Sequence, residues 1–267
     1  MQSAEMTSDR TAALAVSHPG HELRLMKWIA ETRPIVFLLT TGSRSGTSRS
    51  RVEASRQLAG ELGAIPSNLF GRHLDRDVYG WIMAGDASPF VELADEMAAS
   101  FVSAGVETVI TDSWQHYNVV HDLWHLTVRL AVAGAGRRAG RQLTCLDYSV
   151  VPRHADLLGA GPEARRLTLS DEEVERKWRL ARAYPEIAED VAEVMELGGQ
   201  EIMRQEVLHE VHAVSALVPP SGGQPLYERF GEARVAAGLY ASVLRWAHVQ
   251  PIYNCLSQRL LQAESSS

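Results

Sequence analysis

The chain has 267 residues, of which 45% are hydrophobic and 22% charged. That is enough for one large domain, or one domain with a smaller helical annex, around a sizeable core. The net charge of -7 argues against dependence on non-specific phosphate contacts, so no nucleic-acid partner is expected. Two cysteines, Cys145 and Cys255, make neither a disulfide framework nor a thiolate zinc site. Residues 1–10 are polar, without the apolar stretch of a signal peptide. The longest clean apolar runs, at 12–16 and 35–39, are far short of the roughly 20 residues that span a bilayer. A cytoplasmic protein with no membrane partner is expected.

In chain order, residues 11–16 form a short apolar run ended by Ser-His-Pro-Gly, a first strand. Residues 22–31 place Leu23, Leu25, Met26, Trp28 and Ile29 in a helical pattern. Residues 35–41 suit a strand covered on both faces, and a polar Gly/Ser/Arg loop follows at 42–50. A helix over 51–62 stops at Gly63, which suits the position just past a helix end. Residues 65–70 are a short strand candidate and 90–104 a helix. Two further strands, 106–111 and 143–150, are separated by a helix over about 120–133, with Gly134-Ala-Gly136 as its stop. Strands alternating with such helices predict an α/β fold: a three-layer α/β/α, Rossmann-like domain over residues 8–160, with a mostly parallel sheet.

Beyond it the pattern changes. Residues 152–168 read as a loop, and Ser170-Asp-Glu-Glu173 as a capping box. From there to 217 the pattern is helical, interrupted near Tyr184-Pro185 and Gly198-Gly199. Residues 219–225 are a turn cluster, and 227–262 are again mostly helical with a break near Pro251. A helical region over 161–264, packed on the core and helping to close a pocket, is expected.

The ten histidines are unevenly placed. His18 and His21 follow the first strand, and His116, His121 and His125 sit where the strand at 106–111 runs into its helix. Ligands of an open parallel sheet bind at the carboxyl ends of its strands, so both groups are expected at one edge. A catalytic zinc site needs three protein ligands and an open position, and imidazole is a common ligand. Spacing alone leaves open which histidines serve.

Four segments in order resemble the LmbE-like zinc de-N-acetylases. Val16-Ser17-His18-Pro19-Gly20-His21-Glu22 after the first strand resembles their His-Pro-Asp-Asp-Glu signature. Residues 36–42 resemble the second strand, which ends in Thr-Asp-Gly. Arg51-Val52-Glu53 resembles the Arg/Glu helix, and Asn118-Val119-Val120-His121 stands where the family has His-Pro-Asp-His. The resemblance spans roughly residues 12–150. It implies a zinc ion, or another divalent first-row metal, held by His18, His21 and His121, with imidazole replacing one carboxylate. It also implies a metal-dependent hydrolase cleaving a C–N amide, an N-acetyl group on a small sugar-like or natural-product substrate, as in biosynthetic deacetylation. The family's general base is the first Asp, and here that position is Gly20. Another group would then carry protons, and His125, Glu22 and Asp122 are the candidates, in that order. A different metal-dependent reaction, or a non-catalytic protein that binds a small ligand, are the alternatives.

Arg51, Asp75 and Tyr117 are the candidate substrate contacts. Arg51 belongs to an anion cradle with Arg44, Arg49 and Arg72, Asp75 with Asp77 flanks the edge, and Tyr117 with Trp114 and Trp124 brackets the histidines. Glu228, Arg229 and Glu232 are placed to reach the pocket if the last segment folds back over the sheet edge. The partner is a small molecule; a homo-oligomer is left open.

Overall fold

The computed structural model describes residues 11–42, 48–151, 160–184, 188, 192, 203–219 and 223–265. Seven strands form one sheet: β1 (Ala12–Val16), β2 (Ile35–Thr40), β3 (Ile65–His73), β4 (Thr108–Asp112), β5 (Thr144–Tyr148), β6 (Glu163–Thr168) and β7 (Gln205–Glu210). Their order is β3-β2-β1-β4-β5-β7-β6. The first five are parallel, with Leu14 opposite both Val36 and Ile110. β7 runs antiparallel to β5 and to β6. The eight helices described are α1 (Met26–Thr32), α2 (Ser48–Glu61), α3 (Asp75–Ala84), α4 (Ser88–Ser103), α5 (Val119–Ala139), α6 (Asp171–Arg182), α7 (Leu226–Ala236) and α8 (Trp246–Glu264).

The period-two alternation of the strands separates two cores. Ala13, Ala15, Phe37, Leu39 and Val109 face one way and are covered by α3, α4, α5 and α8. Leu14, Val16, Val36, Leu38 and Ile110 face the other way, under α1, α2 and α6. The predicted three-layer architecture is therefore the one observed. The chain lays β2 and β3 to one side of β1, then crosses to put β4 and β5 on the other. The strand order thus reverses between β1 and β4, where a crevice opens at the carboxyl ends of such a sheet.

Several elements differ from expectation. The helix expected to stop at Gly134 runs through Gly134 and Gly136 and ends at Gly140, whose φ is 63°. A Cβ on Gly134 would stand 3.5 Å from the Ala98 methyl, so this glycine serves close packing against α4. Residues 75–84, unassigned from sequence, form α3, whose buried stripe is only Val78 and Ile82. Helix α8 continues through Pro251. The N–H that this proline lacks would have met only a carbonyl of the first turn, and Val249, Ile252, Tyr253, Leu256 and Leu260 bury one side of the helix. Part of the region read as helical, and part of the loop before it, supply β7 and β6 to the same sheet. β6 is a charged edge strand with Leu167 buried, a composition that protects an edge and hides a strand. In β7 the inward positions are Glu206 and Leu208, and the charge at the first breaks the apolar alternation.

Candidate functional site

The crevice between β1 and β4 is held from below by Asp112, the last residue of β4, which is fully buried. The backbone N–H and hydroxyl of Ser17, just past β1, both donate to Asp112 Oδ2, at 2.8 and 2.6 Å. The Tyr148 hydroxyl, at the end of β5, donates to Oδ1 at 2.8 Å. His21 Nδ1 stands 3.0 Å from Oδ2. Burial opposes the charge on Asp112, but the His21 and His121 imidazoles and the Ser17 bond outweigh it, so the carboxyl is held well below its ordinary range. An anionic Asp112 fixes the proton of His21 on Nδ1 and turns the Nε2 lone pair outward.

After Ser17 the chain turns through Pro19 and Gly20. Gly20 has a φ of 99°, which strains an L side chain by roughly 1–2 kcal/mol and leaves glycine at ease. A glycine, where the resembled signature has Asp, suits this backbone. The Gly20 N–H donates to Glu22 Oε2 at 2.9 Å, and Ser55 of α2 donates to Oε1. Tyr184 donates to the Arg51 carbonyl at 2.8 Å, and Arg51 Nη2 to the Pro19 carbonyl at 3.0 Å. Gly42, leaving β2, has a φ of 65°, and a Cβ there would fall 2.6 Å from Pro19 Cδ. The loop from 18 to 22 is therefore clamped from both α2 and β2.

Helix α5 begins with Asn118, whose side chain accepts the Val120 N–H at 2.9 Å. His121 falls in the first turn, over the end of β4. The rings of His18, His21 and His121 form a triangle, with centroids 5.4, 5.1 and 4.6 Å apart. His18 Nδ1 lies 2.8 Å from Thr40 Oγ1 and 3.2 Å from Asp75 Oδ1, at the start of α3. This leaves His18 Nε2 buried without a hydrogen-bond partner, and His121 Nδ1 is in the same state. Burial first, and the other two imidazoles next, push the His121 pKa well down, so its ring is neutral at pH 7. The three rings named from sequence are thus brought together. Their donor atoms are not yet one coordination set, because among the described residues no three His, Cys, Asp or Glu side chains are disposed to hold a metal as they stand.

The expected proton carriers are placed differently. His125 is on the same face of α5 as His121 but sealed in the core. Its Nδ1 donates to the Asp112 carbonyl at 3.0 Å, and burial lowers its pKa to about 3. It does not exchange protons near pH 7 from this setting. Glu22 is spent on its own loop, as above, and burial raises its pKa. Asp122 does not meet a histidine ring through its hydrogen-bonded oxygen: Oδ1 accepts the N–H groups of Gln115 and His116, at 2.9 and 3.2 Å. It folds the loop before α5, where His116 takes a φ of 57°, and burial raises its pKa to about 8.

Among the substrate candidates, Arg51 is committed to Pro19, Asp75 pairs with His18, and Tyr117 lies tilted over His121 with centroids 6.4 Å apart. Residues 43–47, with Arg44, and the side chain of Arg49 lie outside the described part of the chain. Arg72 is bidentate on Glu96. Glu228 receives Arg245 Nη1 at 3.1 Å and the Trp246 N–H at 2.7 Å, and so joins α7 to α8. Sequence reading missed the support set of Ser17, Thr40 and Tyr148. Its one signal was position, each lying at or just past the carboxyl end of a strand. A separate cleft of about 160 Å³ is lined by Asp95, Leu130, Gly134, Arg137 and Arg259. It lies toward the opposite end of α5 from His121 and gathers no catalytic grouping.

No protein-family model and no curated protein matches the chain. Solved structures similar to it include the A40926 pseudoaglycone deacetylase Dbv21, 16% identical, with a TM-score of 0.43 over 66% of this chain and 82% of that one. The conserved protein TT1542 from Thermus thermophilus is 14% identical, with a TM-score of 0.47 over 75% and 94%. GalB, the 4-carboxy-2-hydroxymuconate hydratase from Pseudomonas putida KT2440, is 14% identical, with a TM-score of 0.39 over 88% and 92%. These likenesses are of fold and assign no residue.

Proposed function

We propose that the chain is a metal-dependent hydrolase of a C–N amide bond on a small polar molecule, with His18, His21 and His121 as the ligands. The observation that carries this is the triangle of imidazoles at the switch point, in which His18 Nε2 and His121 Nδ1 are buried and unpartnered while His18 Nδ1 and His21 Nδ1 are fixed by side-chain oxygens. Buried polar groups are rarely left unpaired without a ligand to meet them, and neutral imidazoles oriented from behind by hydroxyl and carboxylate suit zinc or another divalent first-row ion. Such an ion would polarise an amide carbonyl and lower the pKa of water.

The chain's own residues would do the rest. Asp112 orients His21, and Thr40 with Asp75 orients His18. Asp112 is sealed, whereas the Asp75 side chain, beside His18, is 13% exposed, and its carboxylate would take and return a proton in the absence of one at position 20. The clamp on the 18–22 loop holds both histidines in register.

One observation favours a second reading, a protein that binds a small ligand without turning it over: the three donors do not form a coordination set as they stand. Elemental analysis of purified protein, with a screen of N-acetylated amines, separates the two. The hydrolase reading expects about one divalent ion per chain, lost in the His18→Ala/His121→Ala double variant, and amide turnover that Asp75→Asn lowers on the order of 10²-fold, the usual scale for a lost acid–base group. Equally negligible metal in wild type and double variant would overturn it.

A further inference from the structure

Nine large hydrophobic side chains are exposed among the described residues, and scattered singly they would need no explanation. Two of them lead to the triangle. On one side Tyr117 overlies His121, and Phe230 of α7 packs edge-on against Tyr117, with centroids 5.6 Å apart. Phe230 is still 49% exposed. The Leu226 N–H bonds the His116 carbonyl at 3.0 Å, tying the start of α7 to this loop. On the other side Asp75, which touches His18, lies one helical turn before Tyr79 on α3. Tyr79 is itself 37% exposed.

We propose that Tyr117, Phe230 and Tyr79 form an aromatic rim that binds the ring-bearing, apolar part of the small molecule whose polar end reaches the histidine triangle. The polar end rests on the amide reading above; the rim rests on its own residues. Aromatic side chains have few rotatable bonds to freeze, and they offer faces and edges to another ring. Three side chains are too small a patch for a stable dimer. With Asp75 at the rim and a net charge of -7, an anionic membrane surface is disfavoured.

Calorimetric titration of the purified protein with N-acetyltyramine, N-acetylethanolamine and tyramine tests this. N-acetyltyramine is expected to bind roughly tenfold tighter than N-acetylethanolamine, the scale of one or two aromatic contacts. In Phe230→Ala/Tyr79→Ala, both partly exposed positions, with folding checked by thermal unfolding, the ratio should fall to about twofold or less while N-acetylethanolamine binding stays as it was. Equal binding of the two amides by the wild type, no measurable binding of N-acetyltyramine, or a preference that survives the double variant would overturn the rim. Tyramine binding as tightly as N-acetyltyramine, with the same dependence on the rim, would keep the rim and remove the amide reading. Rim-dependent binding to phosphatidylcholine vesicles, or rim-dependent dimerisation, without preference for the ring-bearing amide, would also overturn the proposal.

Discussion

Two buried polar clusters of the chain are built in opposite ways. Lys177 of α6 and Glu206 of β7 are 1% and 0% exposed, with Nζ and Oε1 2.7 Å apart. Lys177 also donates to the Arg24 carbonyl at 2.8 Å, and Glu206 accepts the N–H groups of Lys27 and Trp28, at 3.0 and 2.9 Å. Those N–H groups open α1, whose N-cap residue Leu25 provides no side-chain cap. Each charged atom has a partner, and the pair ties the C-terminal strands to the loop that carries the histidines. In the histidine crevice, by contrast, His18 Nε2, His121 Nδ1 and Asp122 Oδ2 are buried without partners. Desolvation is costly in both places, and more so for the charged pair. A cluster that recovers it with internal hydrogen bonds has become scaffold; one that does not is kept for something outside the chain.

The sharpest way to break this contrast is to remove one member of the satisfied pair. Lys177→Met leaves Glu206 charged and buried, which costs about 3–5 kcal/mol. Chemical denaturation should show that loss, and a double variant Lys177→Met/Glu206→Gln should recover most of it, since an amide oxygen still caps α1. A single variant as stable as wild type would mean the pair is not the scaffold described.

A smaller effect comes from pH, at a third cluster, behind the crevice. His125 faces Asp147 of β5, with Nδ1 3.8 Å from Oδ2, and Arg129 of α5 and the Asp112 carbonyl also adjoin it. Burial raises Asp147 from 3.8 to about 7, against the pull of Arg129. Burial lowers His125 from 6.5 to about 3, helped by Arg129. The raised carboxyl stabilises the fold below pH 3.8, and that stability is lost as pH rises to about 7. The depressed imidazole has the opposite sign: stability is full above pH 6.5 and falls as pH drops toward 3. In the wild type the two slopes oppose each other between about pH 4 and 6.5, each at most about 1.4 kcal/mol per pH unit. Relative to wild type, Asp147→Asn should gain stability as pH rises through that window and His125→Gln should lose it. Denaturation midpoints at pH 4.5, 5.5 and 6.5 check the crossing; parallel profiles for the two variants would refute it.

The sequence showed clearly what repeats locally. Strands β1 to β5 and helices α4 and α5 follow from apolar runs of the right period, and the Ser170 capping box forms as written, with Ser170 and Glu173 exchanging hydrogen bonds. The two histidine groups could be brought to one edge because each follows a strand end, and strand ends share an edge; the choice of His18, His21 and His121 among them came from the resemblance to the de-N-acetylase signature. What stayed hidden depends on pairing across the chain. Asp112 orients His21 only because β1 and β4 are neighbours, and Glu206 reads as a surface residue until Lys177 and α1 are seen around it. β6 and β7 were missed for the same reason: a charge accepted inward, or a charged edge, cancels the alternation that marks a strand. His125 was misjudged because helical spacing gives direction along α5 but not depth below its surface.

The smallest effect on stability is expected where the unsatisfied cluster is trimmed. Replacing a partnered buried group forfeits its hydrogen bonds and strands its partner. His121 has no hydrogen-bond partner at Nδ1, and it adds a third imidazole to two others, so its removal strands nothing there. His121→Ala does open a cavity, and a large-to-small change in a packed core would cost a few kcal/mol. His121→Leu keeps most of the volume and isolates the polar contribution. It should hold the unfolding free energy within about 1 kcal/mol of wild type, or raise it by relieving an unpaired buried nitrogen, while any bound ion is lost. A drop comparable to that of Lys177→Met would show that the crevice, too, had become scaffold, and the division between the two clusters would fail.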